Sequence, residues 1–347
     1  MENNDNLIDN QYTIIEKKGS GASSKVFLVK EINSEEIYAA KVLKKLDISE
    51  SGEKEIKLFE NEIKILNYLK EKTNNPFIIK LINSGEGEIV RPNKEITKNK
   101  YIILEYAEKG SLLDYIYYYR NKGLEERFGK IIFYKILQGI QACHKVNICH
   151  RDLKLDNILF DINFNPKICD FGLSEFNQNE FTDTVGTLKY EAPEILNDKP
   201  YNGFEVDIFS LGVTLFTLVT GTFCFQIAKR NNELYNLIKN KKYEKYWKKF
   251  ENLGINLSNN FKNLFLRMVS YNPKERPIIE DILNDEWIKD IKDLNKEKFI
   301  ELENEVKEEL LKREIEMKKN IQIEMEIKGE IDSSSLGYNR SEYNNIK

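Results

Sequence analysis

The chain has 347 residues, and its 53 Lys and Arg nearly cancel its 57 Asp and Glu, for a formal net charge of −4. A near-balanced chain of this kind is no general binder of nucleic acid or polyanions. Two histidines leave little room for a His-rich metal centre or a histidine relay, and four scattered cysteines point to a reducing compartment rather than a disulfide framework.

Residues 1–11 are polar and acidic and read as a disordered N-terminus; MENNDNLIDN is unlike a secretory signal. From Tyr12 to Val42 the pattern is strand-like. Ile14 and Ile15 lead into a Gly/Ser turn, Val26 to Val29 form an apolar run, and Ile37 to Val42 form another. Residues 53–72 switch to helical spacing, with Ile56, Phe59, Ile63, Leu66 and Leu69 on one face. Ile78 to Ile82 and Tyr101 to Tyr106 return to strand, joined by the polar stretch RPNKEITKNK.

After Gly110 the chain turns helical, most clearly over Leu112 to Tyr119, Phe128 to His144, Val206 to Thr220 and Leu257 to Val269. No apolar run reaches the ~18 residues expected of a membrane span. Strands first and helices after predict an α+β fold, a sheet-rich lobe and a helical lobe with a cleft between them. Globular patterning ends near Trp287. Residues 289–347 form a charged, partly helical tail, with Phe299, Leu302, Val306 and Leu310 at helical spacing. The run IQIEMEI alternates with period two, and the last residues read as a flexible end.

The first chemical motif is Lys18, Gly19, Ser20, Gly21, Ala22, Ser23, Ser24, Lys25 and Val26, between two strand-like runs. Glycines let a backbone approach phosphates and point N–H groups at them, although an ordinary hairpin turn has the same composition. No Gly-Lys-Ser/Thr ends it and no helix follows, so it is not a Walker A loop. Lys41 follows in the apolar strand YAAKVL. Facing inward it needs a partner, either phosphate oxygens or a carboxylate such as Glu62; on an edge strand it simply faces solvent.

The decisive stretch is CHRDLKLDNIL, residues 149–159, followed by Asp170-Phe171-Gly172 and Ala192-Pro193-Glu194. In this order and at these spacings HRDLKLDN, DFG and APE resemble the signatures of the eukaryotic protein kinases. The glycine-rich loop, Lys41 and Glu62 match the same pattern, and the resemblance covers residues 12–288.

The resemblance implies a bilobal kinase domain, with an N-lobe over 12–105 and a C-lobe over 108–288. It implies ATP and Mg2+ as cofactors and transfer of the γ-phosphate to serine or threonine hydroxyls of protein substrates. Asp152 would orient the acceptor hydroxyl and take its proton, and Lys154 would screen the γ-phosphate. Asn157 and Asp170 would hold magnesium as hard oxygen ligands. Lys41, paired to Glu62, would hold the α- and β-phosphates. Residues 19–24 would cover them, and Val26, Ala39 and Leu159 would sandwich the adenine. Leu104, Glu105 and Ala107 would form the hinge, with Leu104 as gatekeeper. Asp207 would anchor the His150-Arg151 turn, Arg276 would pair with Glu194, and Leu66, Leu81, His150 and Phe171 would form an apolar column.

Lys154 and the GTLKY segment resemble the Ser/Thr branch, and the surrounding wording is most like the calmodulin-dependent and AMP-activated group. Arg151 would bind an activation-loop phosphate. The usual acceptor position holds Asp183, between Thr182 and Thr184. Either Asp183 supplies a fixed charge or one of these threonines has taken over. Cys143, His144, Cys149 and His150 suggest a zinc cluster, but the resemblance assigns His150 to the core. The tail carries about 12 basic and 15 acidic side chains, which does not suit a calmodulin target. It reads as a solvated helix, with docking or self-association as the other reading. No nucleic-acid or membrane partner is expected, and the expected location is cytoplasmic, with the nucleus also open.

Overall fold

The computed structural model describes residues 6–21, 23–44, 50–90, 96–119, 122–177 and 180–328. The chain divides into two compact units. One comprises residues 1–74, 79–108 and 323–347, and the other comprises 75–78 and 109–322.

The first unit is built on β1 (Leu7–Ile8), β2 (Tyr12–Ser20), β3 (Ser24–Glu31), β4 (Ile37–Leu43), helix α1 (Glu50–Lys72), β5 (Leu81–Val90) and β6 (Ile96–Glu105). The strands close in the order β1-β2-β3-β4-β6-β5. Alternation along each strand sends one set of side chains inward. Ile8, Tyr12, Val29, Ala40, Val42, Tyr101 and Ile103 make the buried cluster. Lys41 lies on the opposite face of β4 from Ala40 and Val42. Helix α1 buries Phe59, Leu66 and Leu69, with Glu62 in the same stripe at 2% exposure. The polar linker expected over RPNKEITKNK is shorter than its composition suggested. Residues 96–100 already belong to β6, and 91–95 lie outside the described residues.

Residues 6–11 correct the expectation of a disordered N-terminus. Leu7 and Ile8 pair with both β2 and β5 and close the barrel. Tyr101 donates to the Asp9 carboxylate at 2.9 Å. Two apolar residues in a polar decapeptide are too few to signal a strand, but the sheet edges on either side supply the pairing that burial needs.

The second unit is mostly helical. Its short elements are β7 (Gly110–Ser111), α2 (Leu112–Tyr117), α3 (Glu126–Lys145), β8 (Ile148–Cys149), β9 (Ile158–Phe160), β10 (Pro166–Ile168), β11 (Glu175–Phe176) and α4 (Pro193–Leu196). Then come α5 (Gly203–Thr220), α6 (Glu233–Lys239), α7 (Tyr243–Glu251), α8 (Asn259–Met268), α9 (Ile279–Leu283), α10 (Glu286–Lys292) and α11 (Lys296–Lys328). Helix α5 is long and apolar enough by composition to cross a membrane, but most of it is buried, as in the central helix of a core. Asn202 caps its start, and Gly221, in the left-handed region at φ 74°, ends it. Phe216 on α5 meets Phe250 and Phe265, each at a centroid distance of 4.9 Å.

Helix α11 differs from the solvated helix its charge suggested. Val306, Leu310, Met317 and Ile321 form one buried stripe, with Arg313 in the middle at 1% exposure. The Arg313 guanidinium donates to the carbonyls of Lys122 (2.6 Å) and Gly123 (2.8 Å) and pairs with Glu309. Asn320 donates to Tyr118 O at 2.6 Å, and Glu314 and Glu303 pair with Lys109 and Lys135. The period-two run IQIEMEI is helical too, because Ile321 belongs to this stripe.

Candidate active site

In the first unit, β2 and β3 form the glycine-rich hairpin, with Gly19 opposite Val26 and Ser20 opposite Lys25. The turn is closed by Gly21 N–H donating to Ser24 O at 3.0 Å, and Ala22 lies outside the described residues. A Cβ added at Gly19 would meet nothing within 4 Å. The space beside the Gly19 backbone is therefore open. Lys18, next to the turn, pairs with Glu16 at 2.7 Å. Ser24 is buried at the start of β3, Ser23 is half-buried, and Ser20 and Gly21 are exposed.

Directly opposed residues share a face of a sheet. Val26 opposes Lys41, and Ala39 opposes Leu104. These four therefore line one face, two residues apart along β4. The Lys41 ammonium pairs with Glu62 Oε2 at 2.6 Å, on a carboxylate whose side chain is 3% exposed. The open choice for Lys41 is thus decided: it faces the helix, not solvent. Glu105 is pinned at both ends. Its N–H donates to Lys80 O at 3.0 Å, and its carboxylate accepts from Lys80 N–H at 2.8 Å. Ala107 is buried just beyond.

In the second unit, the His150-Arg151 turn hangs on Asp207 of α5. The N–H groups of His150 and Arg151 donate to its two oxygens at 2.9 and 2.8 Å. His144 Nε2 lies 2.9 Å from the same carboxylate, a third partner that the sequence reading did not assign. Arg151 takes a left-handed φ of 67°, costly for any residue that carries a Cβ and tolerated because Asp207 holds the backbone. His150 Nε2 donates to Cys169 O at 3.0 Å, and its ring lies 4.9 Å from that of Phe171. These bonds commit His150 to a structural role. Glu194 and Arg276 form a two-pronged buried pair at 2.6 and 2.8 Å.

Asp152 is 8% exposed and surrounded by donors. Lys154 Nζ donates to Oδ2 at 2.7 Å, Asn157 Nδ2 to the same oxygen at 3.0 Å, and Thr187 Oγ1 to Oδ1 at 2.8 Å. Lys154 also reaches Thr187 Oγ1 at 2.6 Å. The Asn157 amide nitrogen is thus bound to Asp152. Its main-chain oxygen accepts from Cys169 N–H at 3.0 Å, which ties it to the residue before Asp170. Asp170 is exposed and also left-handed, at φ 65°. Asn157 and Asp170 carry oxygen donors of the kind a hard divalent cation takes. Leu159, half-buried on β9, pairs with Ser111 and Lys167.

A family model described as the protein kinase domain matches residues 12–288. The chain belongs to the protein kinase family. The kinase is 36% identical over 286 residues to NUAK family SNF1-like kinase 1 of Homo sapiens, covering 81% of this chain and 39% of that protein. It is 35% identical over 280 residues to NUAK family SNF1-like kinase 2 of Pongo abelii, covering 80% of this chain and 40% of that one. The kinase thus spans about two fifths of the length of these relatives. Their SNF1-like naming agrees with the likeness to the AMP-activated group.

The kinase places Asp183 against Arg151, whose guanidinium donates to its carboxylate while sitting 4.4 Å from the Phe181 ring centre. Burial works against the Arg151 charge, but Tyr201 and Asp183 raise its pKa above the ordinary arginine value. Glu191 escaped the sequence reading. It is 8% exposed beside Asp152, and nothing in the wording YEAPE marks it as more than a spacer.

Proposed function

We propose that the chain is an active Ser/Thr protein kinase that transfers the γ-phosphate of Mg-ATP to hydroxyls of protein substrates. The observation that carries this reading is the donor shell of Asp152. Lys154, Asn157 and Thr187 hold the carboxylate in place. A carboxylate so held can orient a hydroxyl and accept its proton. Thr187, in GTLKY, supports serine and threonine over tyrosine as acceptors, since it joins Asp152 to Lys154.

Lys41 would bind nucleotide phosphates, Glu62 would hold Lys41, and the hairpin at 19–24 would present backbone N–H groups. Val26, Ala39, Leu104, Glu105 and Ala107 of the first unit would take the adenine. Asn157 and Asp170 would hold Mg2+, which when bound neutralises charge on the phosphates. Four free thiols, three of them buried, agree with a reducing compartment, and we place the kinase in the cytoplasm.

Labelled phosphate transfer from Mg-ATP to a mixed Ser/Thr peptide pool tests this. Incorporation that Asp152→Ala abolishes is the expected result. No incorporation by the wild type, with nucleotide binding intact, would make the chain a binding module instead.

A further inference from the structure

We propose that the mouth of the barrel in the first unit is a binding site for a small organic anion with an aromatic body and one hydroxyl donor. The site lies apart from the candidate active site and does not depend on the kinase reading.

A cavity of about 360 Å³ opens there, walled by Ile14 of β2, Phe27 of β3, Val42 of β4 and Ile89 of β5. Ile14, Val42 and Ile89 belong to the buried cluster of the barrel, so the cavity reaches its apolar interior. Such a volume suits a small organic ligand, and barrel mouths are places where ligands bind. Val42 faces this cavity, while Lys41 beside it faces Glu62, so alternation along β4 keeps the cavity separate from the nucleotide side.

Asn99 of β6 lines the same cavity and is 8% exposed. Its Nδ2 donates to Leu43 O at 2.7 Å, which fixes the orientation of the amide. Among the described residues, its Oδ1 is buried and accepts from no donor. A buried acceptor left in that state is costly, and a hydroxyl on a ligand would satisfy it.

The charge of the cavity selects an anion. Lys17, Lys25 and Lys44 line it, and among its described lining residues there is no carboxylate. Lys44 also donates to Gly21 O, which leaves its positive charge in place. Lys17 reaches this side through a β-bulge. The register shifts between Ile14 and Glu16, so that Lys17 opposes Phe27. Without the extra residue, strict alternation would turn Lys17 outward with the exposed Ile15. An ammonium cluster beside an apolar wall attracts an amphipathic anion and repels a cation.

The test titrates the full chain with 6-hydroxynaphthalene-2-sulfonate and with naphthalene-2-sulfonate by isothermal calorimetry, in the absence and presence of Mg-ADP. The hydroxyl compound should bind one per chain, about fivefold or more tighter than its parent, with or without Mg-ADP. In Asn99→Leu that ratio should fall to near one. In Lys17→Glu with Lys25→Glu both sulfonates should lose about tenfold in affinity, while uncharged 2-naphthol should change little. Far-UV circular dichroism controls for folding. If Asn99→Leu folds poorly, the wild-type ratio and the lysine variant still decide. No saturable binding, equal affinity for the two sulfonates, affinities unchanged in the lysine variant, or displacement of the probe by Mg-ADP would each overturn the proposal.

Discussion

Arg151 donates to the Asp183 carboxylate, and the same carboxylate accepts from the Tyr201 hydroxyl at 3.1 Å. The Arg151 side chain is 3% exposed, and its N–H shares the Asp207 carboxylate with that of His150. An acidic side chain thus stands where an added phosphate would otherwise satisfy the arginine. Asp183→Ala should lower kcat/KM about tenfold or more, because a buried guanidinium loses its counter-charge. Thr182→Ala with Thr184→Ala should retain most activity. Steady-state kinetics with mass spectrometry of the purified protein checks both, and a requirement for phosphate on either threonine would contradict the assignment.

The Lys41–Glu62 pair makes a second expectation. Lys41→Met should reduce phosphate transfer by roughly a hundredfold or more, since a fixed cation is lost where phosphate charge develops. Glu62→Gln should act through Lys41. The double variant should therefore fall no further than Lys41→Met alone, a non-additivity read in a double-mutant cycle.

Arg313 concerns stability. Its guanidinium serves the Lys122 and Gly123 carbonyls, and burial holds its pKa below the usual arginine range, with Glu309 offsetting part of this. Arg313→Ala orphans those carbonyls and leaves a cavity, so it should cost about 2–4 kcal/mol in denaturant unfolding. Truncation after Asp290 removes the whole stripe and should lower the melting temperature further and promote aggregation. A truncated protein with unchanged melting and mass would return α11 to the status of an appendage.

Glu191 gives a pH dependence with a definite sign. Its pKa is raised in the fold, so the folded state binds the proton more tightly than the unfolded chain. Stability is greatest with the group protonated and falls as pH rises from the ordinary value of 4.5 through the raised one. Glu191→Gln removes this loss. The variant should melt above the wild type near neutral pH, and the gap should close on acidification below the ordinary carboxylate range. Thermal melts across pH read it directly; a gap independent of pH would exclude ionisation as the cause.

Much of the candidate site was legible because each motif is nearly contiguous. Asp152, Lys154 and Asn157 fall within six residues, and a turn that short fixes their mutual distances whatever surrounds it. The partners of Asp207 were half legible. The backbone of His150 and Arg151 was expected, but His144 was not, since only the approach of α3 to α5 brings its ring to that carboxylate. The tail was misread for a related reason. Val306, Leu310, Arg313, Met317 and Ile321 form a regular helical stripe with an arginine at its centre. In sequence that arginine breaks the apolar pattern, while in the structure two carbonyls at the end of the α2–α3 loop make its burial possible.

The sequence by itself determined the family, the short motifs around Asp152 and Asp170 that make up the candidate site, and the near balance of charge over residues 12–288. These depend on residue type at short spacing. Only tertiary structure decided that Lys41 faces Glu62, that Asp183 occupies Arg151, that Leu7 and Ile8 close a barrel, and that Glu191 lies buried near Asp152. Each of these turns on what a distant segment places next to a side chain. The free energy of a charge or an apolar group depends on that neighbour and on the water it excludes, not on adjacent letters in the chain.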